Sequence, residues 1–375
     1  MSTRRKSFLG TSTALVVVAL VAAMVVAAVA SAGARSADAQ PAGAQLRSGI
    51  KDPSGTRTNP FEYKFKDARF NRSETADQLK VMARCDDGYD AIGGGFDKHR
   101  DGGGTFGMRP TTSRPSVPSM DEGTRPGEGW VAVFHRERGG PAGVEVSAYV
   151  VCAPREDVPE PGVYLAQQEK TIPPTYIQTY TPSCRGNDWA IGGGYDFFGD
   201  DYVALVRSQH NPGDKLHSWL LAATTDHRFK SIKVKAYAVC VPKEFLRELH
   251  VREAADTSGA GSGNAFAEAT TPKCPNGTYL LGGGAGMPNR DAAGTGGVGL
   301  PDLIRISPGK GPRENPPWKP ETWQAKVMKN SSLVPLRITI HAFAMCGELS
   351  AQRADGKLSG KNPGWGDGMG GGRFK

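Results

Sequence analysis

No block of five or six like charges occurs anywhere in the 375 residues, and no cluster of Lys and Arg has aromatic residues threaded through it. That absence argues against a dedicated nucleic-acid interface, which needs a concentrated basic footprint. The six cysteines include no Cys-x-x-Cys pair, so neither a zinc site nor a thioredoxin-like redox pair is expected. His-Glu-x-x-His and Gly-x-Ser-x-Gly are also missing, which removes the sequence support for two familiar hydrolytic chemistries. Seven histidines are present, His99, His135, His210, His217, His227, His250 and His341. They do not recur at equivalent places in the repeats described below, and each reads as a solvated surface residue. No catalytic set, metal-ligand set or cofactor motif is expected. Long amphipathic helices are lacking as well. The one helical-looking piece is "PKEFLRELHVREA", Pro242 to Ala254.

The N-terminus carries a pattern of its own. Arg4, Arg5 and Lys6 precede an Ala/Val-rich run from Ala14 to Ala30, followed by Ala30-Ser31-Ala32 and Ala37-Asp38-Ala39. A basic start, an apolar run and a small-residue cleavage site read as a secretory signal peptide, residues 1–39. The competing reading is an uncleaved anchor, for which the run is near the lower length limit. Cleavage removes Arg4, Arg5, Lys6 and Arg35 with Asp38, and so lowers the net charge from +8 to +5. The mature protein is then expected outside the membrane, secreted, with a weak attraction for anionic polymers such as cell-wall glycans. Export by the general route is favoured, since in "TRRKSFL" Phe8 sits one place late for a twin-arginine signal.

What remains is repetitive. "CDDGYDAIGGGFD" begins at Cys85, "CRGNDWAIGGGYD" at Cys184 and "CPNGTYLLGGGAG" at Cys274. Each copy closes on a strand-like segment that ends in cysteine: "GVEVSAYVVC" at Cys152, "SIKVKAYAVC" at Cys240 and "LRITIHAFAMC" at Cys346. Trp130, Trp219 and Trp323 precede those cysteines by 22, 21 and 23 residues, whereas 35, 25 and 39 residues separate the glycine triplet from the tryptophan. Fixed ends around an elastic middle describe a structural frame with variable loops. The closing segments alternate with period two. In the second copy Ile232, Val234, Ala236, Ala238 and Cys240 share one face, against Lys233, Lys235 and Tyr237. This is the signature of a half-buried antiparallel strand. Cysteine always falls on the apolar face, and repeat symmetry favours the pairs Cys85–Cys152, Cys184–Cys240 and Cys274–Cys346 among the fifteen possible connectivities. An even number of cysteines in an exported chain fits disulfides.

The fold class is therefore all-β, with three homologous antiparallel repeats over 60–155, 160–246 and 255–348, a disordered linker over 40–59 and a disordered Gly-rich tail over 349–375. Four or five strands per repeat are expected. The repeats form either a pseudo-threefold β-prism or three small packed β domains, and the short connectors favour the first. Gly88, Asn187 and Gly277, three residues after each opening cysteine, are expected at tight turns, because Gly and Asn accept positive φ. The glycine triplets Gly93–Gly95, Gly192–Gly194 and Gly282–Gly284 continue a buried strand where a backbone or an indole comes close. A phosphate loop would need a helix start after the glycines, usually with Lys and Ser or Thr. "FDKHRDGGG", "YDFFGDDY" and "AGMPNRD" supply neither.

The motif Cys-x-x-Gly-x4-Gly-Gly-Gly, followed by a tryptophan strand and "AYAVC", resembles repeats in uncharacterised secreted bacterial proteins, with Asn187 in place of the first glycine in copy two. A looser resemblance, carried by "CPNG" and the threefold repetition, is to β-prism proteins such as the vitelline membrane outer layer protein. It implies a fold only.

The most distinctive polar stretch is "GGGYDFFGDDY". Tyr195, Asp196, Phe198, Asp200 and Asp201 combine aromatic platforms with carboxylates, the chemistry of sugar-binding surfaces. Clustered aspartates can also hold calcium through oxygen ligands, although an Asp- and Gly-rich turn accounts for the stretch without any ion. Together these features lead to an extracellular, non-enzymatic binding or surface protein whose partner is a glycan or cell-wall polymer. The alternatives are a secreted hydrolase with a loop-built site and a structural envelope component.

Overall fold

Among the described residues every repeat forms six strands, and polar–apolar alternation is clearest in the closing one. The computed structural model describes residues 59–70, 77–99, 108–121, 127–136, 144–173, 177–198, 203–225, 231–257, 266–287, 302–309, 320–328 and 337–350. Residues 1–58, where a signal peptide and linker are expected, and residues 351–375, the expected tail, lie outside them. Repeat one contains β1 (Glu62–Arg69), β2 (Gln78–Arg84), β3 (Tyr89–His99), β4 (Met108–Pro115), β5 (Gly129–Arg136) and β6 (Glu145–Pro154). Repeat two contains β7 (Tyr164–Ile172), β8 (Ile177–Tyr180), β9 (Trp189–Asp196), β10 (Val203–His210), β11 (Trp219–Thr225) and β12 (Ile232–Val241). Repeat three contains β13 (Leu246–Thr257), β14 (Phe266–Thr270), β15 (Tyr279–Gly286), β16 (Asp302–Pro308), β17 (Trp323–Met328) and β18 (Thr339–Leu349).

These strands form three six-stranded antiparallel sheets, ordered β1-β6-β3-β16-β17-β14, β13-β18-β15-β10-β11-β8 and β2-β5-β4-β9-β12-β7. They are called sheets A, C and B here. Every sheet takes the first, sixth and third strands of one repeat and the fourth, fifth and second of another. The exchange is cyclic, so the chain has pseudo-threefold topology. Three β domains in a row would have kept each sheet within its own repeat. The junctions are short: Asp97 faces Arg305 and Phe96 faces Ile306, Asp196 faces Thr112 and Tyr195 faces Ser113, Gly286 faces Arg207 and Ala285 faces Ser208.

The inward faces are rich in small residues. Val146, Ala148 and Val150, Val234, Ala236 and Ala238, and Ile340, Ala342 and Ala344 are all fully buried, because sheets converging on one axis leave little room. The glycine triplets mark the tightest points, and each of the three positions has its own neighbour. A Cβ on Gly192 would lie 2.9 Å from the Ile92 carbonyl oxygen, and one on Gly282 would lie 2.8 Å from that of Ile191, while Gly93 is pressed on the Leu281 carbonyl. The first glycines thus meet around the axis. The second ones, Gly94, Gly193 and Gly283, lie under the indoles of Trp130, Trp219 and Trp323. Gly95, Gly194 and Gly284 abut the backbone of the neighbouring repeat at Ile306, Ser113 and Ser208. The glycines therefore serve close backbone approach, as the sequence indicates.

All three disulfides, Cys85–Cys152, Cys184–Cys240 and Cys274–Cys346, close within their repeats. Positive φ occurs at Gly88 and Gly277 as expected, but in the second repeat Gly186 takes it (φ 53°) and not Asn187. Two other expectations need correction. Among the described residues each repeat has six strands, and the one unanticipated from sequence is always the first. β1, β7 and β13 are sheet edges, and their Lys, Glu and Arg on both faces hide the period while discouraging edge-to-edge association. The segment expected to be helical is a three-residue turn, Lys243–Phe245, followed by β13. Pairing along β18, from Leu246 with Leu349 to Thr257 with Thr339, outweighs its local helical preference.

Candidate functional site

Antiparallel pairing fixes which connections share an end. β3 and β5 run away from the disulfides, as does β1, and β2, β4 and β6 return. The β1–β2, β3–β4 and β5–β6 connections of all three repeats therefore leave from one end. The disulfides, Glu62 at the start of β1 and Leu349 at the end of β18 occupy the other. The stretch singled out in repeat two sits at the loop-bearing end, where β9 runs out.

Its members separate into two groups. Tyr195, 1% exposed, points inward opposite Ala236. Its ring stacks on Phe197 at 4.6 Å and its hydroxyl faces the Pro110 carbonyl at 3.5 Å. Asp196, 3% exposed, accepts from Arg114 Nε at 3.2 Å, from Thr112 Oγ1 at 3.3 Å and from the Phe198 amide at 2.7 Å. Both are committed to the junction between repeats one and two. Phe198 is different. It is 42% exposed and adopts φ 51°, a backbone region that a phenylalanine rarely occupies, and Lys233 Nζ stands 5.0 Å above its ring. Lys233 also pairs with Glu169 at 2.6 Å. Asp200 and Asp201 lie outside the described residues.

Arg114 organises the buried side of this junction. Its Nη1 donates to Asp121 Oδ2 at 2.6 Å while its Nε holds Asp196. Burial alone would raise the Asp121 carboxyl. Hydrogen bonds from Arg114, Lys80 and the Val117 amide outweigh it and hold the group below its ordinary 3.8. Tyr237, buried beside Arg114, has its hydroxyl pushed up by loss of solvent. A wholly desolvated cation between two carboxylates is a structural joint, and neither acid is available to a ligand.

A second polar constellation, not anticipated from sequence, occupies the same end of sheet A. Ser147 donates to Asp67 and lies 2.6 Å from His99 Nε2, while His99 Nδ1 lies 3.5 Å from Asp97 Oδ2. Asp97 in turn receives Arg305 Nε at 2.9 Å and Nη2 at 2.8 Å. A serine, a histidine and an aspartate are in line, but the proton count is wrong for nucleophilic catalysis. The Ser147 hydroxyl has one proton and gives it to Asp67, so the imidazole N–H is the donor at Nε2. A general base needs the reverse. Ser147 is also fully buried. One ligating atom each from Asp67, His99 and Glu145 lie within 4.8 Å of one another. β1, β3 and β6 bring these residues together through register, which no linear motif announces. Knowing that Ser147 faces both Asp67 and Asp97 would have revealed it.

No helix among the described residues is long and apolar enough to cross a membrane. The three disulfides fit an oxidising, extracellular environment. No protein-family model and no curated protein sequence matches this chain.

Proposed function

We propose that this is a secreted, non-enzymatic binding protein that engages an extracellular glycan or cell-wall polymer through its loop-bearing end. One observation carries the reading: at the end of the three-sheet frame opposite the disulfides and both described chain ends, where β9 runs out, Phe198 is held exposed in a strained backbone conformation. Rigid scaffolds that present irregular segments on one face are a common design for recognition. Phe198, solvent-exposed with a cationic neighbour in Lys233, supplies an aromatic platform of the kind that stacks on sugar rings, and the net positive charge of the chain favours anionic polymers. The Asp196 carboxylate holds the Phe198 amide at 2.7 Å and so fixes the backbone of that platform.

The test is retention of the purified chain on insoluble cell-wall polymer and on a glycan array. The expected result is salt-sensitive binding that weakens several-fold in Phe198→Ala and in Lys233→Ala, with thermal stability unchanged. Absence of binding to every polymer and glycan, or binding indifferent to both substitutions, would count decisively against this function.

A further inference from the structure

We infer that Asp67, His99 and Glu145 form a binding site for a divalent transition-metal ion of the zinc type, at the loop-bearing end of sheet A. One imidazole nitrogen and two carboxylate oxygens are a donor set that suits zinc. The three residues come from three adjacent strands, β1, β3 and β6, whose order in the sheet is β1-β6-β3, so the frame that holds them is rigid. Their ligating atoms lie within 4.8 Å of one another. Donors bound at roughly 2.0–2.2 Å around a tetrahedral ion stand about 3.4 Å apart, so uptake of the ion draws the three side chains closer together. Ser147 beneath them bridges Asp67 and His99, the type of supporting hydrogen bond that orients metal ligands. Three protein ligands leave a coordination position for water or for a group of a bound partner.

The internal symmetry shows that the donor set belongs to repeat one alone among the three. In repeat two the residues at the places of Asp67, Ser147 and Asp97 are Glu169, Lys235 and Asp196, and Lys233 stands where Glu145 does. There the cations are part of the chain: Lys233 Nζ lies 2.6 Å and Lys235 Nζ 3.4 Å from the Glu169 carboxylate. In repeat one a hydroxyl and a carboxylate replace those two ammonium groups, while the carboxylates at the other two places are kept. Arg69 stands opposite Glu145 on β1, and Arg305 is bound to Asp97. The histidine and two carboxylates of the set therefore occur together in repeat one, whereas lysines occupy two of the equivalent places in repeat two. Repeat three has Ala255, His341 and Gly286 at the corresponding places, which is no such donor set.

The experiment is a zinc titration of the full-length, oxidised, chelator-stripped chain by calorimetry, repeated with cobalt and read by visible absorption. One equivalent of zinc is expected to bind. His99→Ala and Asp67→Asn are each expected to weaken it by about tenfold or more, with loss of the cobalt band in His99→Ala. His341→Ala, which removes a histidine paired with Glu253 on sheet C, is expected to leave binding intact. Glu145→Gln, at the start of β6, serves as a second variant should His99→Ala fold poorly. Failure of the stripped chain to take up zinc at about 100 μM, or binding unaltered in the variants that fold, overturns the assignment.

Discussion

Gly193→Ala is the sharpest test of what the glycine triplets do. Gly193 is the second glycine of repeat two, and a Cβ there would sit 2.6 Å from Trp219 Cδ2 and closer still to Cγ and Cδ1. Ordinary carbon–carbon contact is roughly 3.5–4.0 Å, so the indole would have to retreat by about 1 Å. It has nowhere to go. Trp219 is fully buried and its Nε1 donates to Ser208 Oγ at 3.0 Å. Overpacking of a core costs roughly 1–3 kcal/mol, and losing the indole hydrogen bond adds about 1 kcal/mol. The expected destabilisation is therefore about 2–4 kcal/mol, read as a lower urea midpoint at unchanged slope with all disulfides intact. A double-mutant cycle isolates the cause. With Trp219→Ala as background the same alanine should be nearly neutral, giving a coupling of about 2–4 kcal/mol. A neutral or stabilising Gly193→Ala, or strict additivity in the cycle, would refute the packing argument.

Removing the bridge of repeat two with Cys184→Ala and Cys240→Ala opens a closure spanning 56 residues. The chain-entropy relation predicts a loss of about 4 kcal/mol, measurable as a lower denaturant midpoint. Arg114→Met leaves Asp121 and Asp196 buried without their shared guanidinium, and a loss of about 3–5 kcal/mol is expected from chemical denaturation. The same joint sets an acid limit. Because Asp121 titrates below 3.8 in the folded protein, its contribution is complete above pH 3.8 and disappears as the pH falls through the lower folded value. Stability measured across that window should fall more steeply in the wild type than in Arg114→Met. Finally, among the described residues Trp323 Nε1 has no acceptor like those of its counterparts, because Ile306 stands where Ser113 and Ser208 do. Trp323→Phe should cost about 1 kcal/mol less than Trp219→Phe, compared by midpoint shift.

The parts of this fold legible in the sequence are those where side chains alone decide the outcome. The symmetry of the repeats, with each closing cysteine on an apolar face, pointed to the pairing, and the Val/Ala alternation of β6, β12 and β18 announced interior strands. The edge strands β1, β7 and β13 were hidden, since their residues answer to solvent on much of their surface and to a partner distant in sequence. The exchange of strands between repeats depends on contacts such as Asp97 with Arg305, 208 residues apart, and no local pattern encodes them. The same limit applied to the candidate site. Tyr195 and Phe198 look alike as aromatic residues beside aspartates, yet strand parity turns one toward Ala236 and the axis while the chain beyond β9 leaves the other in water. Asp196 looked like a ligand because its role depends on Arg114, which belongs to the preceding repeat.

Sharing every sheet between two repeats constrains the order of assembly. β1, β3 and β6 are complete by residue 154, but β14, β16 and β17, which finish their sheet, are not all present until residue 328. The earliest part of the chain must wait, with an open hydrogen-bonding edge, for the last. Such sequence-distant closure is slow, and it ties all three repeats into one cooperative event in which none can be truncated away.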